Sequence, residues 1–144
     1  MREKWEDRQY RENRKRYREE NREKINERKR KYHAQLKTCD PLYNLRKRMR
    51  SLVLNSLSIR GYSKRTKTHE IIGCSYDYLL VHIERQFLPG MTWDNRDKWH
   101  IDHIVPLATA KTEDDVIRLN HFTNLRPLWA KDNLSKGAKV ETLL

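Results

Sequence analysis

The first 37 residues contain no glycine and no proline, and their apolar and aromatic members are few: Trp5, Tyr10, Tyr17, Ile25, Tyr32 and Leu36. The rest is mostly Arg, Lys, Glu and Gln, which lose little side-chain freedom in a helix. Residues 1–37 are therefore predicted as one long helix, and a helix so poor in apolar residues cannot supply a core. Any core has to come from the 107 residues after Lys37, enough for one small domain. A weak repeat runs through the helix, Tyr10-Arg11-Glu12-Asn13-Arg14 against Tyr17-Arg18-Glu19-Glu20-Asn21-Arg22, and places Tyr10 and Tyr17 on one face. Glu12 with Arg16 and Glu20 with Lys24, each four apart, are expected to support it by ~0.2–0.5 kcal/mol per pair. Apolar positions at heptad spacing are too few to favour a coiled coil.

Charge divides the chain. The formal net charge is +12 with 36% charged residues; residues 1–37 carry +7, residues 38–73 carry +6 and residues 74–144 carry −1. Such an excess points to a polyanion, nucleic acid before an anionic membrane. For residues 1–37 two readings stand side by side: a solvated or partly disordered segment, and a basic arm that tracks phosphates and orders on binding. No apolar run approaches the ~20 residues of a membrane span. The charged N-terminus has no apolar signal core, so a cytoplasmic protein without a membrane partner is expected. Cys39 and Cys74 are the only cysteines. They exclude a four-cysteine zinc site within one chain and fit two reduced thiols better than a disulfide framework.

From Thr38 the pattern changes. Asp40-Pro41 suits a helix start, and Leu42, Leu45, Met49, Leu52, Val53 and Leu57 form an apolar stripe ending near Gly61. Arg46, Lys47, Arg48 and Arg50 fill the remaining arc, and Lys64, Arg65 and Lys67 follow in a loop; these seven are candidate nucleic-acid contacts, with plain solvated surface as the competing reading. Thr68–Ile72 reads as a short helix stopped by Gly73, Ser75 as the cap of another, and Tyr76, Leu79, Leu80, Ile83 and Phe87 as its stripe up to Pro89-Gly90. Asp94–Asp97 reads as a turn. Thr112-Glu113-Asp114-Asp115 reads as a capped helix start, running to about Asn120 and burying Val116 and Leu119. Phe122–Trp129 has turn-then-strand character, and Ala130–Lys136 is a final short helix before Gly137. The fold class is α+β: helices first, then strand, excursion, strand, helix. The organisation is a basic arm, 1–37, and one domain, 38–144, with basic helices at 38–73 and a strand–strand–helix core at about 98–140.

The chemistry gathers at Trp99-His100-Ile101-Asp102-His103-Ile104-Val105-Pro106-Leu107. Ile101, Ile104 and Val105 favour a strand, and Pro106 is expected to end its pairing. Two histidines and an aspartate inside such a strand are costly unless partnered. Neighbours on a strand face opposite sides, so Asp102 and His103 suit two separate tasks, and His100 shares the side of Asp102. The plainer reading is a satisfied core histidine and a turn aspartate.

Asp102-His103, then Asn124, then Asn133, resemble the HNH endonucleases, the ββα-metal or His-Me finger nucleases. The flanks Trp-His-Ile-Asp-His-Ile-Val-Pro-Leu and Thr-Asn-Leu-Arg-Pro-Leu-Trp-Ala-Lys-Asp-Asn-Leu-Ser-Lys-Gly are similar to free-standing phage and homing-type members, as is Phe87-Leu88-Pro89-Gly90-Met91-Thr92-Trp93. The resemblance covers roughly residues 70–140. It implies a small ββα-metal core and metal-dependent cleavage of double-stranded DNA by a monomer or homodimer, with host cytoplasm as the location if phage-encoded. It also implies that Asn124 braces the loop between the strands and orients the catalytic histidine; a plain turn residue is the alternative. Many members have His where this chain has Asn133, and many carry structural zinc on two Cys-x-x-Cys pairs that this chain lacks.

The chemistry also follows from the residue types. Phosphodiester hydrolysis needs an activated water and positive charge on the phosphate. A histidine titrating near 6.5 suits His103 as general base. Asp102 and Asn133 offer oxygen ligands to one divalent cation, Mg²⁺ with Mn²⁺ also compatible, and no structural zinc is expected. His100 and Lys136 are candidates for a further metal or phosphate contact, against a structural His100 and an ordinary helix-end Lys136. The alternative function is a non-catalytic basic nucleic-acid-binding protein.

Overall fold

A computed structural model describes residues 2–139, with side chains described from residue 7. Met1, the side chain of Trp5 and residues 140–144, with the outer ends of the expected arm and core, lie outside the described residues. Among the described residues the fold is α+β, with seven α-helices and one two-stranded antiparallel sheet. The chain divides into two compact units, the first ending at Asp40 and the second beginning at Pro41.

The first unit holds α1 (Arg2–Glu20) and α2 (Arg22–Cys39). The single expected helix is thus two, and the second continues past residue 37. The break falls at Asn21 (φ −104°, ψ 14°), whose Nδ2 donates to the Tyr17 carbonyl at 3.0 Å. A short carboxamide that bonds the preceding turn competes with regular helix geometry. Backbone bonds still cross the break, from Asn21 to Tyr17 and from Ile25 to Asn21. α2 buries no side chain. Its support comes from surface pairs such as Glu27–Lys31 at 2.8 Å. Glu12 turns back to Arg8 rather than forward to Arg16, which bonds Asn13 instead.

The second unit is built on α3 (Pro41–Ser58). Leu45, Met49, Val53 and Leu57 recur every four residues and are 0–2% exposed. α4 (Thr68–Ile72) ends at Gly73, whose φ of +79° a side chain would strain. A Cβ there would also lie 2.3 Å from the His121 ring. α5 (Tyr76–Glu84) starts on Ser75, which accepts from the Tyr78 amide at 3.2 Å, and buries Leu79 and Ile83; it stops five residues short of Pro89. α6 (Glu113–Leu119) opens with a capping box between Thr112 and Asp115 and buries Val116, with Leu119 only partly buried against the core. Trp99 meets Phe87 and Trp93 edge to face at 5.1 and 5.3 Å, Phe87 and Trp93 lie tilted at 5.2 Å, and the Trp99 indole N–H donates to Thr92 O.

The sheet pairs β1 (Trp99–His103) with β2 (Leu125–Trp129), in the register Trp99↔Trp129 to His103↔Leu125. Pairing therefore stops at His103, before Ile104, Val105 and Pro106. Ile104 and Val105 instead bond to Asn124, through its carbonyl oxygen and its Oδ1 respectively. The chain peels away here into the excursion before α6. Arg60 holds that excursion by donating to the carbonyls of Leu107 and Ala110. α7 (Ala130–Lys136) then packs back across both strands.

Candidate active site

Alternation along the two strands gives the sheet two unlike faces. Trp99, Ile101 and His103 share one face with their partners Trp129, Pro127 and Leu125. His100 and Asp102 share the other with Leu128 and Arg126. Asp102 and Arg126 are direct cross-strand partners, and Arg126 Nε donates to Asp102 Oδ2 at 3.2 Å. α7 covers this second face. Its residues 133 and 136, one turn apart on one side of the helix, meet strand residues 100 and 102. Asn133 Nδ2 lies 3.0 Å from His100 Nδ1, and Lys136 Nζ lies 2.6 Å from Asp102 Oδ2.

Lys136 corrects its sequence reading. It is 4% exposed, and its ammonium also donates to the carbonyls of His103 and Ile104. A fully engaged buried ammonium is not placed to meet a phosphate. Instead it neutralises Asp102 and pins the backbone where β1 ends. A buried carboxylate is tolerable only with such partners, and two cations supply them here.

Both bonds that Asp102 accepts fall on Oδ2, leaving Oδ1 without a partner among the described residues. Asn133 spends its amide nitrogen on His100, so its Oδ1 is the atom it has to offer. One carboxylate oxygen and one carboxamide oxygen fit a hard cation that keeps most of its shell in water and phosphate oxygens. Among the described residues no three or more His, Cys, Asp and Glu side chains are grouped so as to hold a metal ion.

His103 faces the other way, into a network that sequence reasoning missed. Its Nε2 is 3.2 Å from Asn120 Oδ1. Asn120 is fully buried, and its Nδ2 donates to Ser56 Oγ and to Val116 O, both at 2.8 Å. Both amide hydrogens of Asn120 are spent, so its Oδ1 can only accept, and the hydrogen shared with His103 must sit on Nε2. The neutral ring then carries its lone pair on Nδ1. Burial lowers the His103 pKa below the ordinary 6.5, outweighing the opposing pull of Asn120 and Asp102. The ring is thus neutral, with a proton-accepting Nδ1, at neutral pH. His100 is lowered too, by burial and then by Arg48. Asn120 sits at the C-cap of α6, and an asparagine there reads locally as a helix stop. The only other signal is its place four residues before Asn124.

Asn124 clasps the peeled loop. Its Oδ1 accepts from the Val105 amide at 2.8 Å, and its Nδ2 donates to Val105 O at 3.1 Å and to Leu119 O at 2.8 Å. It links the end of β1, the end of α6 and the start of β2.

The candidate nucleic-acid contacts separate. Arg48 is partly buried, donates to Arg96 O and Trp99 O, and lies over the Trp99 ring at 5.8 Å. Burial lowers its pKa. It belongs to the core's rim, not to the solvated arc expected of it. Arg46 is exposed and lies over the Tyr76 ring at 5.6 Å, and Lys47 and Arg65 are exposed. Arg50, Lys64 and Lys67 line one cleft of about 430 Å³ with Tyr76 and His69.

With this geometry in view, the chain is similar to two proteins of Acanthamoeba polyphaga mimivirus. It is 34% identical over 119 residues to uncharacterized protein L246, across 81% of this chain and 51% of that protein. It is 30% identical over 101 residues to uncharacterized protein L426, across 68% of this chain and 44% of that protein. The chain thus spans about half the length of the curated relatives it matches. No protein-family model and no solved structure matches it. No helix among the described residues is long and apolar enough to cross a membrane.

Proposed function

We propose that this chain is a metal-dependent DNA endonuclease of the HNH type, built on a ββα-metal core. The observation that carries the reading is the two-faced hairpin. α7 brings Asn133 onto the face of Asp102, while His103 next door points to the opposite face with its tautomer set. Two tasks that phosphodiester hydrolysis requires are thereby held on one short strand.

In this reading Asp102 and Asn133 would hold one divalent cation through side-chain oxygens. When bound, it supplies positive charge to the phosphate and to the departing 3′ oxygen. His103 Nδ1 takes the proton of the attacking water while Asn120 holds Nε2–H and fixes the ring plane. Asn124 keeps the loop after β1 closed, so that His103 keeps its direction. Lys136 and Arg126 hold the Asp102 carboxylate in one rotamer. The products are a 5′ phosphate and a 3′ hydroxyl. Exposed Arg46, Lys47, Arg50, Arg65 and Lys67, with half-buried Lys64, supply duplex affinity that falls steeply with salt.

The test is supercoiled plasmid incubated with the protein and Mg²⁺ or Mn²⁺, beside a chelator control and His103→Ala. Nicked or linear product that needs the metal and fades with His103→Ala is expected. Equal behaviour of the two proteins contradicts the assignment of the base. One observation favours a second reading: Lys136 and Arg126 already satisfy Asp102, as they would in a purely structural polar cluster. A non-catalytic binder of nucleic acid retards DNA equally with chelator and never nicks it.

A further inference from the structure

Within the first unit the cations are not evenly placed. Arg11, Arg14, Lys15, Arg18 and Arg22 border one shallow groove, with Glu19 as its one acidic side chain. Spacings of three, four and seven residues put Arg11, Arg14, Lys15 and Arg18 on one side of α1, and Arg22 joins the same groove from the start of α2. Of the other acids of α1 and α2 whose side chains are described, Glu12, Glu20, Glu23 and Glu27 fall toward the other side at the same periodicity, and Asp7 lies on the row's side one turn before Arg11. Cations outside the groove have partners, Arg8 with Glu12 among them. Arg30 reaches Glu23 at 2.7 Å, Lys31 reaches Glu27 at 2.8 Å, and Arg16 bonds Asn13. The five groove cations make no ion pair or hydrogen bond among the described residues, and all are exposed. Five exposed cations around one groove make a concentrated positive patch that its single glutamate does not offset. Along the α1 axis the row from Arg11 to Arg18 covers roughly 10 Å, a span over which duplex DNA presents about six phosphates.

We infer that the row Arg11, Arg14, Lys15, Arg18 and Arg22 is a docking face for the sugar-phosphate backbone of duplex DNA. The choice of DNA as partner rests on the proposed function; the choice of face does not. Arginine forks suit phosphate oxygens, and the contact is independent of sequence because phosphates carry none.

The experiment compares two triple variants of the full chain with the same change in charge. One is Arg11→Gln, Arg18→Gln and Arg22→Gln. The other is Arg16→Gln, Arg30→Gln and Lys31→Gln. Binding to a labelled duplex is measured with chelator across a salt series, and circular dichroism verifies that both variants keep their helix. The groove triple should lose on the order of a hundredfold in affinity at 0.1 M salt, and its salt slope should shrink by roughly 0.9 for each contact removed. The other triple should stay near the wild type. Equal losses in both overturn the face while leaving DNA binding in place. No duplex binding by the wild type, or preference for polyglutamate over duplex, overturns the partner and with it the DNA reading. Cleavage plays no part in the readout, so a failed nuclease assay leaves this result interpretable.

Discussion

α2 and α3 are both 18 residues long and both rich in Arg and Lys, yet they have opposite roles. α3 buries Leu45, Met49, Val53 and Leu57 along one stripe; α2 buries nothing. Charge does not separate them, and neither does helix propensity. What separates them is an apolar residue every fourth position. The stripe commits α3 to a body that can enclose Asp102 and His103, whereas α2 stays solvated and can offer only its surface. The same contrast holds for ion pairs. Lys136–Asp102 at 2.6 Å and Lys31–Glu27 at 2.8 Å look alike by distance, but the first ammonium is almost fully buried and the second is mostly exposed.

That contrast is open to test, beginning with the largest effect. Lys136→Ala leaves a buried carboxylate with one fewer cation and should cost about 3–5 kcal/mol in urea unfolding, while Lys31→Ala should cost less than about 0.5 kcal/mol. Similar values for the two would mean that Lys136 is solvated in solution. Next, Met49→Ala should destabilise by about 2–5 kcal/mol, and Ile25→Ala should stay within roughly 0.5 kcal/mol. A large loss at Ile25 would reveal a core around α2 that the described residues lack.

These two pairs also mark what the sequence made legible. Features written locally were readable: the α3 stripe, the Gly73 stop, the Ser75 cap, the Thr112–Asp115 box, and the order strand, excursion, strand, helix. Features that depend on what lies across space were not. Lys136 reads as a surface lysine until α7 folds over Asp102, and Arg48 reads as solvated until Trp99 packs beneath it. Asn120 reads as a helix stop until Ser56, 64 residues earlier, receives its amide. The early end of β1 was hidden because Ile104 and Val105 have strand propensity, and Asn124 intercepts their backbone groups. At the site, residue types pointed to Asp102, His103 and Asn133 as candidates and the resemblance added Asn124, but neither pointed to the partners that hold them.

A smaller effect concerns pH. His100 and His103 have folded pKa values below the ordinary 6.5, so the unfolded chain binds more protons as acid is added. Their contribution to stability is complete above 6.5 and is lost as pH falls through the folded values. Urea midpoints should be flat above that value and decline below it, and His103→Gln should flatten the decline. A midpoint that rises on acidification would contradict the buried neutral ring. The smallest effect separates the two units by their thiols. Cys39 is exposed and Cys74 is half-buried, with its pKa raised by burial. A maleimide should label Cys39 severalfold faster at neutral pH; equal rates would mean that the core does not shield Cys74.

The central claim is that the hairpin unit performs hydrolysis while the N-terminal helices only hold the substrate. The direct measurement is single-turnover cleavage of a duplex at saturating protein with Mg²⁺, alongside the dissociation constant, for wild type, His103→Ala and the Arg11, Arg18, Arg22→Gln triple. The account predicts that His103→Ala loses about 10²–10⁴-fold in rate with unchanged affinity, and that the triple loses affinity with an unchanged rate at saturation. A His103→Ala protein that cleaves at the wild-type rate once the DNA is bound would contradict it.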